Sequence, residues 1–458
     1  MPAFCGGCAC GAIRYECSAE PLFAAHCHCR DCQRESGAGF IPVLGVPAEA
    51  FRVTRGAPRG FTVTADSGHP TTRFFCADCG SPLFGRPGVA PEMVTIRAGS
   101  LDDPAAFRPA RNLYVSRAQP WATMDPALPK LPRLPHSQEP RVPRTFSRET
   151  TTNELLEGVS LSGRRVLITG GSAGLGAETA RALAAAGAHV VVTARDAAKG
   201  ERAAAAARAG AAPGARVEVA ELDLESLASV RACADRLLGE GRPLHALIAN
   251  AGVMAAPQGR TRDGFETQFG TNHLGHFVLV NRLVPLLVRG APARVVVLSS
   301  SGHRFADVDL EDPGFTRTPY DPWLAYGRSK TANVLFAVAL DRRLAPRGVR
   351  ACAVHPGGIR TELSRHLTEQ TLQELVSRMA RGGVKMKSVE QGAATSVWAA
   401  FIADAAEIGG RYCEDCSVAK LTQDAQTSAG VRAYALDPAR AEALWRRSEE
   451  WVGERFPA

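Results

Sequence analysis

Six short apolar runs divide the last two-thirds of the chain, each bounded by polar residues or glycine. Valine, isoleucine, leucine and alanine fill these runs without regular alternation, which is typical of parallel strands buried on both faces. The alanine-rich residues 177–186 follow the first run across a glycine-spaced turn, so strand, turn and helix succeed one another. The pattern predicts an α/β fold built on a parallel sheet. The predicted strands lie at residues 165–169, 189–193, 216–224, 244–252 and 294–303, and the segment 351–361 contains the sixth strand and a Pro-Gly turn after it.

The first 130 residues follow a different pattern. Short β-branched segments alternate apolar with polar positions at 37–44, 52–54, 60–64 and 93–97. Such segments predict short strands of a small β-rich fold.

Prolines separate these two patterns. Seven of them lie between residues 120 and 143, a density that excludes regular helix and sheet. Threonines at 150–152 then offer helix caps before residues 154–157. At 458 residues the chain is long enough for two cores. We therefore expect a domain over 1–136, a linker over 137–157 and a second domain over 158–458.

Composition restricts the class of protein. The N-terminal residues show no basic or apolar targeting segment, and no apolar run is long enough to span a bilayer. We expect a cytoplasmic protein without a membrane span. The net charge of +8 comes from arginines scattered along the chain, with no basic run that carries interleaved aromatics. Nucleic acid is therefore not an expected partner.

Nine of the thirteen cysteines lie in the first 79 residues. In a reducing compartment, thiols two or three residues apart on turns more often hold metal than form disulfides. Two such pairs can complete a tetrahedral zinc site. The simpler alternative, reduced buried cysteines without metal, fits poorly with so many thiols on polar, glycine-rich turns.

The spacing of these cysteines resembles that of the glutathione-dependent formaldehyde-activating enzyme and centromere protein V family, over nearly all of residues 4–130. The resemblance implies a small β-rich fold with two zinc sites. A structural zinc would bind Cys8, Cys10, Cys76 and Cys79. A second zinc would bind Cys27, Cys29 and Cys32 and keep one coordination position open.

Other cysteines and histidines near these clusters have alternative interpretations. Cys5 could replace Cys8 as a ligand, and Cys17 at the end of a strand is expected to pack in the core. By resemblance His26 and His28 are not ligands, and they would either support the ligands or lie on the surface.

The first apolar run of the second domain ends in a turn with glycines at 170, 174 and 176. Glycines let the backbone approach a pyrophosphate, and the N-terminus of the next helix attracts its charge. By itself the turn could be an ordinary strand-to-helix connection. Far along the chain, Tyr326 and Lys330 are four residues apart and so share one face of a helix.

The glycine turn followed by the Tyr-x-x-x-Lys pattern resembles the short-chain dehydrogenase/reductase family, over roughly residues 158–430. The resemblance implies a doubly wound Rossmann sheet that binds NADP or NAD. Ala249 replaces the first asparagine of the family's Asn-Asn-Ala-Gly motif. By resemblance the cofactor would contact Gly170, Ser172, Gly174, Leu175, Gly176, Arg195, Asp223, Leu224, Asn250, Ala251, Gly252, Pro356, Gly357, Ile359 and Thr361.

Arg195 follows the second strand, where an acidic residue would suit the ribose of NAD and an arginine suits the 2′-phosphate of NADP. The arginine favours NADP. Asp196 next to it leaves NAD as the alternative.

The resemblance assigns the chemistry to Asn272, Ser300, Tyr326 and Lys330. Lys330 would lower the pKa of Tyr326, which exchanges a proton with the substrate oxygen while Ser300 holds that oxygen. Ser299 and Ser301 remain alternatives to Ser300. His273 and His276 are expected to be structural.

The interval between Ser300 and Tyr326 is longer than in compact members of the family. With the histidine-rich 272–277 and His-Pro-Gly at 355–357, it resembles the retinol dehydrogenase, WW-domain oxidoreductase and protochlorophyllide reductase branch. We expect an apolar aldehyde, ketone or alcohol as substrate. Residues 362–387 correspond to the family's substrate lid, and Cys413 and Cys416 are expected to be structural.

Three hypotheses describe the whole chain. The first is an oxidoreductase that interconverts an apolar carbonyl compound and its alcohol by hydride transfer. The second is a zinc-dependent carbon-sulfur lyase that acts on thiol-aldehyde adducts, as a second activity or the main one. In the third, the zinc domain is a non-catalytic module that binds a partner or assists homo-oligomerisation.

Overall fold

A computed structural model of the chain describes residues 3–65, 70–88, 90–131, 146–367, 373, 386–424, 427 and 429–456. The chain divides into two units, Met1–Arg144 and Thr145–Ala458. None of the described helices is both long and apolar enough to cross a lipid bilayer.

The first unit is mostly β-structure, and its described residues include an α-helix, α1, at Arg30–Ser36. Its strands are β1 Phe4–Gly7, β2 Arg14–Cys17, β3 Phe23–Cys27, β4 Ile41–Pro47, β5 Phe51–Arg55, β6 Arg59–Thr64, β7 Pro70–Phe75, β8 Pro82–Pro87, β9 Met93–Arg97, β10 Arg111–Leu113 and β11 Lys130–Leu131. They form a three-stranded sheet in the order β1-β2-β5 and an eight-stranded sheet in the order β11-β10-β3-β4-β9-β8-β7-β6. Strand β10 is parallel to both of its neighbours, and the other pairs are antiparallel.

All four strands predicted in the first unit are present, but one begins later than predicted. The strand predicted from residue 37 starts at Ile41. The reason is that α1 ends at Gly37, whose φ of 67° lies in the left-handed region. The core of the unit is small and includes Tyr15, Leu44 and Ile96.

The second unit contains an eight-stranded sheet in the order β14-β13-β12-β15-β16-β17-β18-β19. All of its strands are parallel except the last. The strands are β12 Arg165–Ile168, β13 His189–Ala194, β14 Arg216–Glu221, β15 Ala246–Ala249, β16 Ala293–Leu298, β17 Val349–His355, β18 Tyr412–Glu414 and β19 Ser417–Val418. The two predicted folds, a small β-rich unit and a doubly wound α/β unit, are therefore confirmed.

Helices cover both faces of this sheet. They are α2 Thr152–Leu156, α3 Gly174–Ala185, α4 Ala197–Ala209, α5 Leu227–Glu240, α6 Thr267–Phe269, α7 Gly275–Arg282, α8 Val284–Arg289, α9 Pro322–Leu344, α10 Val389–Val397, α11 Ala405–Ile408 and α12 Pro438–Val452. Successive strand residues point to opposite faces. Val166 and Ile168 therefore pack under α3 and α10, while Leu167 packs under α5 and α9. Burial on both faces explains the continuous apolar runs in the sequence.

Helix α2 begins at a capping box in which Thr151 and Glu154 exchange hydrogen bonds, as the threonines before residue 154 suggest. Leu155 of this helix is fully buried in the core of the second unit. The packed part of the second unit thus includes residues that the sequence assigns to the linker. The expectation that the proline-rich residues 120–143 contain no regular structure is wrong at Lys130–Leu131, where β11 pairs with β10 because neither of its two residues is a proline. Residues 132–145 lie outside the described residues.

Candidate active site and thiol clusters

The glycine turn lies between β12 and α3, at the carboxyl edge of the parallel sheet. Gly170 and Gly174 have positive φ values of 67° and 53°. A Cβ at Gly176 would lie 2.3 Å from the carbonyl oxygen of Gly170, so no other residue fits there. The Asn250 amide nitrogen donates to the carbonyl of Thr169 at 2.8 Å and holds the turn against the end of β15. The turn is built for a close backbone approach by a ligand.

A second loop, after β17, lies against this turn. A Cβ at Gly174 would be 3.4 Å from the side chain of Thr361, and a Cβ at Gly392 would meet both Ile359 and Leu175. Gly357 has a φ of 100°, which allows the sharp bend after Pro356. The structure thus brings the predicted cofactor residues of both loops together.

The end of β13 carries the residues predicted to select the cofactor. The Arg195 side chain is 66% exposed, and its Nη1 lies 3.3 Å from Glu225 Oε1. Asp196 caps α4 by accepting a hydrogen bond from the Lys199 backbone at 2.9 Å. Asp223 accepts from the Glu225 backbone, so its carboxylate also helps to hold this edge. Of the two candidates, Arg195 is the side chain that is not committed to a helix cap.

Leu224 and Gly252 lie on the walls of the same region. Leu224 is buried beyond the end of β14 and packs against Gly275. A Cβ added at Gly275 would lie 3.0 Å from Leu224 Cδ2. A Cβ on Gly252 would be 3.0 Å from Asn272 Oδ1 and 3.5 Å from Lys330 Nζ. The Ala251 backbone donates to Thr169 Oγ1 at 3.0 Å. Ser172 is half-buried in the glycine turn.

Tyr326 and Lys330 lie on one face of α9 and are both buried. The Lys330 Nζ is 5.7 Å from the centre of the Tyr326 ring and donates to the carbonyl of Leu298 at 3.1 Å. Burial raises the pKa of Tyr326 to about 12, although its hydrogen bond with Ser300 opposes the shift. Burial lowers the pKa of Lys330 to about 8. The expectation that Lys330 lowers the pKa of Tyr326 is wrong here, because burial dominates and Lys330 is not among the groups that shift this pKa. At neutral pH the phenol holds its proton and the lysine is cationic.

The structure distinguishes the three serines that follow β16. Ser299 is buried and donates to the backbone carbonyl of Lys330 at 2.8 Å. Ser301 begins a short 3-10 turn. Ser300 Oγ accepts from the Gly302 backbone at 3.0 Å and is hydrogen-bonded to Tyr326. Ser300 is therefore the serine that shares a site with the tyrosine.

Asn272 is fully buried and holds the segment before α7 to the end of β15. Its side chain exchanges hydrogen bonds with the Val253 backbone at 2.8 and 2.9 Å and donates to Ser329 Oγ at 2.9 Å. A π-helical turn at Gly270–Leu274 separates α6 from α7, and such turns often occur at functional sites.

His276, expected only to be structural, contacts both halves of this site. Its Nδ1 donates to the carbonyl of Asn272 at 3.0 Å, and its Nε2 accepts from Thr169 Oγ1 at 2.8 Å. Burial lowers the pKa of His276 to about 4, so the ring is neutral. His273 instead contacts Ser448 at 2.9 Å, away from the glycine turn. The spacing of the histidines carries no signal that would separate these roles.

His303 is a second residue that the sequence did not single out. Its Nδ1 donates to the carbonyl of Ser300 at 2.8 Å, and its Nε2 accepts from the Arg432 backbone at 3.2 Å. Burial lowers the pKa of His303 to about 4. The neutral ring fixes the backbone from which the Ser300 hydroxyl projects.

Seven cysteines of the first unit form two clusters. Within each cluster the Sγ atoms lie within 4.8 Å of one another. The first cluster consists of Cys8, Cys10, Cys76 and Cys79, and the second of Cys27, Cys29 and Cys32. These are the two sets that the sequence assigned to metal.

The four-thiol cluster has the dimensions of a closed zinc site. Sulfur atoms around a tetrahedral zinc lie about 3.8 Å apart, given a Zn–S bond of about 2.3 Å. Cys8 Sγ lies 3.4 Å from Cys10 Sγ, which lies 3.7 Å from Cys76 Sγ. Hydrogen bonds from Ser81 lower the pKa of Cys79 to about 6. The four residues fit a metal with no further ligand.

The three-thiol cluster surrounds the N-terminus of α1. The Cys29 side chain caps this helix, and hydrogen bonds from the other two thiols lower its pKa to about 3. Arg97, also buried, forms a bidentate ion pair with Glu35 at 2.8 and 2.9 Å. Burial alone would lower the pKa of Arg97, but the charges of Glu35 and the nearby thiolates raise it. The three thiolates can bind a metal and leave its fourth coordination position open. The Arg97 guanidinium lies near enough to interact with their charge.

The remaining residues near these clusters have other contacts. Cys17 is fully buried in the core, as expected, and Cys5 belongs to neither cluster. His28 is fully buried, with its Nε2 3.2 Å from Asn112 Oδ1. His26 packs on Phe40. Within the part of the chain that the structure describes, no histidine joins a cluster.

Cys413 and Cys416 are buried in the second unit and belong to neither cluster. Most of the predicted substrate lid, residues 368–372 and 374–385, lies outside the described residues.

Comparisons with known proteins agree with both units. Residues 3–117 match the family described as glutathione-dependent formaldehyde-activating enzyme, and residues 164–372 match the short chain dehydrogenase family. A probable oxidoreductase from Streptomyces lividans is 46% identical over 296 residues, which cover 63% of this chain and 97% of that protein. Retinol dehydrogenase 12 from Mus musculus is 43% identical over 296 residues, which cover 64% of this chain and 88% of that protein.

A solved structure is also similar. An uncharacterized protein from Mycobacterium paratuberculosis is 36% identical, with 68% of this chain and 100% of that chain covered and a TM-score of 0.52. The identity to the Streptomyces relative extends over almost that whole protein, which establishes the relationship. The chain belongs to the short-chain dehydrogenase family of NAD(P)-binding oxidoreductases, and its first unit is a domain of the glutathione-dependent formaldehyde-activating enzyme family.

Proposed function

We propose that the second unit reduces an apolar aldehyde or ketone with NADPH and catalyses the reverse oxidation of the alcohol. The observation that carries this proposal is the buried Tyr326 hydroxyl, hydrogen-bonded to Ser300 and close to Lys330, at the sheet edge that holds the glycine turn. The phenol is protonated at neutral pH and can therefore donate the proton that reduction of a carbonyl requires. Similarity to a retinol dehydrogenase supports an apolar substrate.

The side chains divide the chemistry as follows. When bound, the nicotinamide cofactor supplies the hydride. The Ser300 hydroxyl holds the carbonyl oxygen, and Tyr326 gives its proton to that oxygen as negative charge develops. The Lys330 ammonium stabilises the resulting phenolate. Asn272 keeps the π-helical turn beside Lys330 through its bonds to Val253.

Two contacts support a preference for NADP. Arg195 is exposed, and its ion pair with Glu225 is long at 3.3 Å. Its guanidinium can therefore bind a 2′-phosphate bidentately. The Asp196 carboxylate accepts a backbone hydrogen bond and is less available to a ribose 2′-hydroxyl.

Apolar side chains near the tyrosine support an apolar substrate. Phe305 and Leu324 are 47% and 41% exposed. Phe305 packs closely against Gly327, the residue after Tyr326. A Cβ added at Gly327 would lie 2.9 Å from the Cβ of Phe305. The Trp323 ring stands edge-on to Phe305 at 6.0 Å. These rings offer an apolar wall for a substrate.

Tyr326→Phe tests the proposal. Removing a positioned general acid should lower kcat about 10²- to 10⁴-fold while NADPH binding persists. The matched control is Tyr320→Phe, which removes a hydroxyl bonded to the carbonyl of Ala256 at 2.8 Å. Retained turnover in the Tyr326 variant would show that the catalytic assignment is wrong.

We also propose zinc at both thiol clusters, with chemistry at the one formed by Cys27, Cys29 and Cys32. The open position that three ligands leave is the observation that favours it. Zinc stabilises a thiolate at neutral pH. In adduct formation the thiol sulfur bonds to the carbonyl carbon of an aldehyde, and the carbonyl oxygen takes the proton that the thiol released. Arg97 would balance the negative charge.

Cys29→Ser separates this lyase-type activity from a binding role of the first unit. The variant should lose adduct turnover and one zinc per chain while the fold persists, and Cys5→Ser should lose neither. Adduct turnover at the original rate in Cys29→Ser would contradict catalysis there. Partner binding or oligomer formation that persists without this zinc would argue against a docking surface organised by the metal.

A further inference from the structure

A cationic cavity lies at the amino edge of the parallel sheet in the second unit. Its volume is about 360 Å³. The lining includes Arg165, His189 and Arg216, which begin β12, β13 and β14, and Arg242 and His245, which precede β15. The glycine turn and Tyr326 belong to the opposite, carboxyl edge. The cavity is therefore separate from the active site.

The lining is strongly unbalanced in charge. Three guanidinium groups and two imidazoles line the cavity, with no carboxylate among the lining residues. Glu240 pairs with Arg165, and Glu218 lies 3.4 Å from Arg242 and 3.0 Å from His189. These carboxylates offset two of the three guanidinium charges, and burial lowers the pKa of both imidazoles, so the charge of one guanidinium remains.

Arg216 contributes the charge that has no counter-ion. Among the described residues it forms no ion pair and no side-chain hydrogen bond. Arg216 begins β14, and its exposed side chain lines the cavity. The guanidinium is therefore available to an anion from solution.

Arg165 gives a second, independent indication of a ligand. The residue is only 4% exposed, and its Nε has no hydrogen-bond partner in the described part of the chain. Its Nη1 donates to the carbonyl of Arg242 at 3.3 Å. Burial lowers the pKa of Arg165. A buried cation with an unused donor costs free energy, which an anion in the cavity would recover.

We propose that this cavity binds a phosphate group, free or on a small metabolite. The Arg216 guanidinium and the Arg165 Nε are free to donate, and Arg242 adds positive charge, which together suit the several oxygens of a tetrahedral dianion. A planar carboxylate would use fewer of these donors. The ligand would join the turns before four neighbouring strands, so its binding should raise the unfolding temperature of the second unit.

The test is thermal unfolding of the full chain with inorganic phosphate or glycerol 3-phosphate against chloride at equal ionic strength. Either phosphate should stabilise the second unit in a saturable way, and Arg216→Gln should weaken the apparent affinity about tenfold. A larger effect of glycerol 3-phosphate would identify a metabolite, and equal effects would identify free phosphate. Arg242→Gln is a second variant, at a half-buried position.

Arg195→Gln is the matched control, since phosphate could also bind at the cofactor edge. It should leave the response to phosphate unchanged. The proposal is overturned if phosphate stabilises no more than chloride, or if all variants respond as the wild type does. It also fails if Arg195→Gln alone abolishes the response, because phosphate would then bind at the cofactor edge beside the end of β13.

Discussion

The two units are stabilised in different ways. In the second unit, two large groups of buried apolar side chains cover the parallel sheet on both faces. The first unit has a small core, and its thiols Cys10 and Cys79 lie exposed on turns between strands. An apolar sheet needs no ligand to persist, whereas turns that meet through thiolates need a metal to neutralise them. The comparison implies that the units should respond differently to chelators, to buried charge and to cofactor.

The largest expected effect is metal loss at the four-thiol cluster. Zinc binding to structural sites contributes on the order of 10 kcal/mol to folding. Cys76→Ser or a strong chelator should therefore abolish the unfolding transition of the first unit, while the second unit keeps its transition and its dehydrogenase activity. Calorimetry of the full chain measures both. Cys5→Ser is the control, and a first-unit transition that survives zinc removal would contradict the comparison.

The next effect concerns Lys330, the buried cation of the apolar unit. Its pKa is lowered from 10.5 to about 8, so burial of the charge opposes folding at neutral pH. Lys330→Met should abolish turnover and yet stabilise the second unit by about 3 kcal/mol near pH 7. The gain is complete below pH about 8 and disappears as the pH rises toward about 10.5, because the unfolded lysine then also loses its proton.

Urea unfolding at several pH values measures this stability. The exposed Lys420→Met is the control and should change little. A Lys330 variant that is less stable than the wild type at neutral pH would show that the lysine supports the fold rather than only the chemistry.

A smaller effect is expected at Arg195. Loss of a charged hydrogen-bond partner costs about 1.5–3 kcal/mol. Arg195→Gln should therefore raise the Kd of NADPH by roughly ten- to a hundredfold and leave that of NADH unchanged. Asp196→Asn should leave the ratio of the two constants alone, because this side chain caps α4. Equal weakening of both cofactors by Arg195→Gln would contradict a role in phosphate recognition.

The smallest effect is expected at His276. His276→Gln should reduce kcat by about fivefold to tenfold through a shift of Asn272, at a cost of about 1 kcal/mol per hydrogen bond lost. Substrate KM should change less than kcat. His273→Gln is matched in burial but contacts Ser448 instead, so its kcat should stay near the wild-type value. Steady-state kinetics of the two variants decide between a positioning role and general packing.

The sequence predicted most of the architecture for a physical reason. Strands buried on both faces must be apolar throughout, and the glycine turn needs positive φ at Gly170 and Gly174. The spacing of Tyr326 and Lys330 places them on one helix face. The spacing of the thiols indicated metal, and the family resemblance supplied their division into two clusters. All of these signals are local.

What the sequence left undetermined depends on contacts between distant segments. The choice of Ser300 over its neighbours follows from which oxygen bonds to Lys330 and which to Tyr326. The π-helical turn at Gly270–Leu274 has no sequence period of its own. The link from His276 to Thr169 spans 107 residues. The cationic cavity arises only where four strands begin together.

The most direct test of two separate chemistries in one chain is cofactor titration before and after chelation. NADPH and NADH binding would be measured by calorimetry on the full chain, with zinc content determined on the same sample. We predict zinc at both thiol clusters, NADPH binding at least about tenfold tighter than NADH binding, and NADPH affinity unchanged after zinc removal. No nucleotide binding, or nucleotide binding that is lost together with zinc, would contradict the claim that the two units carry separate chemistries.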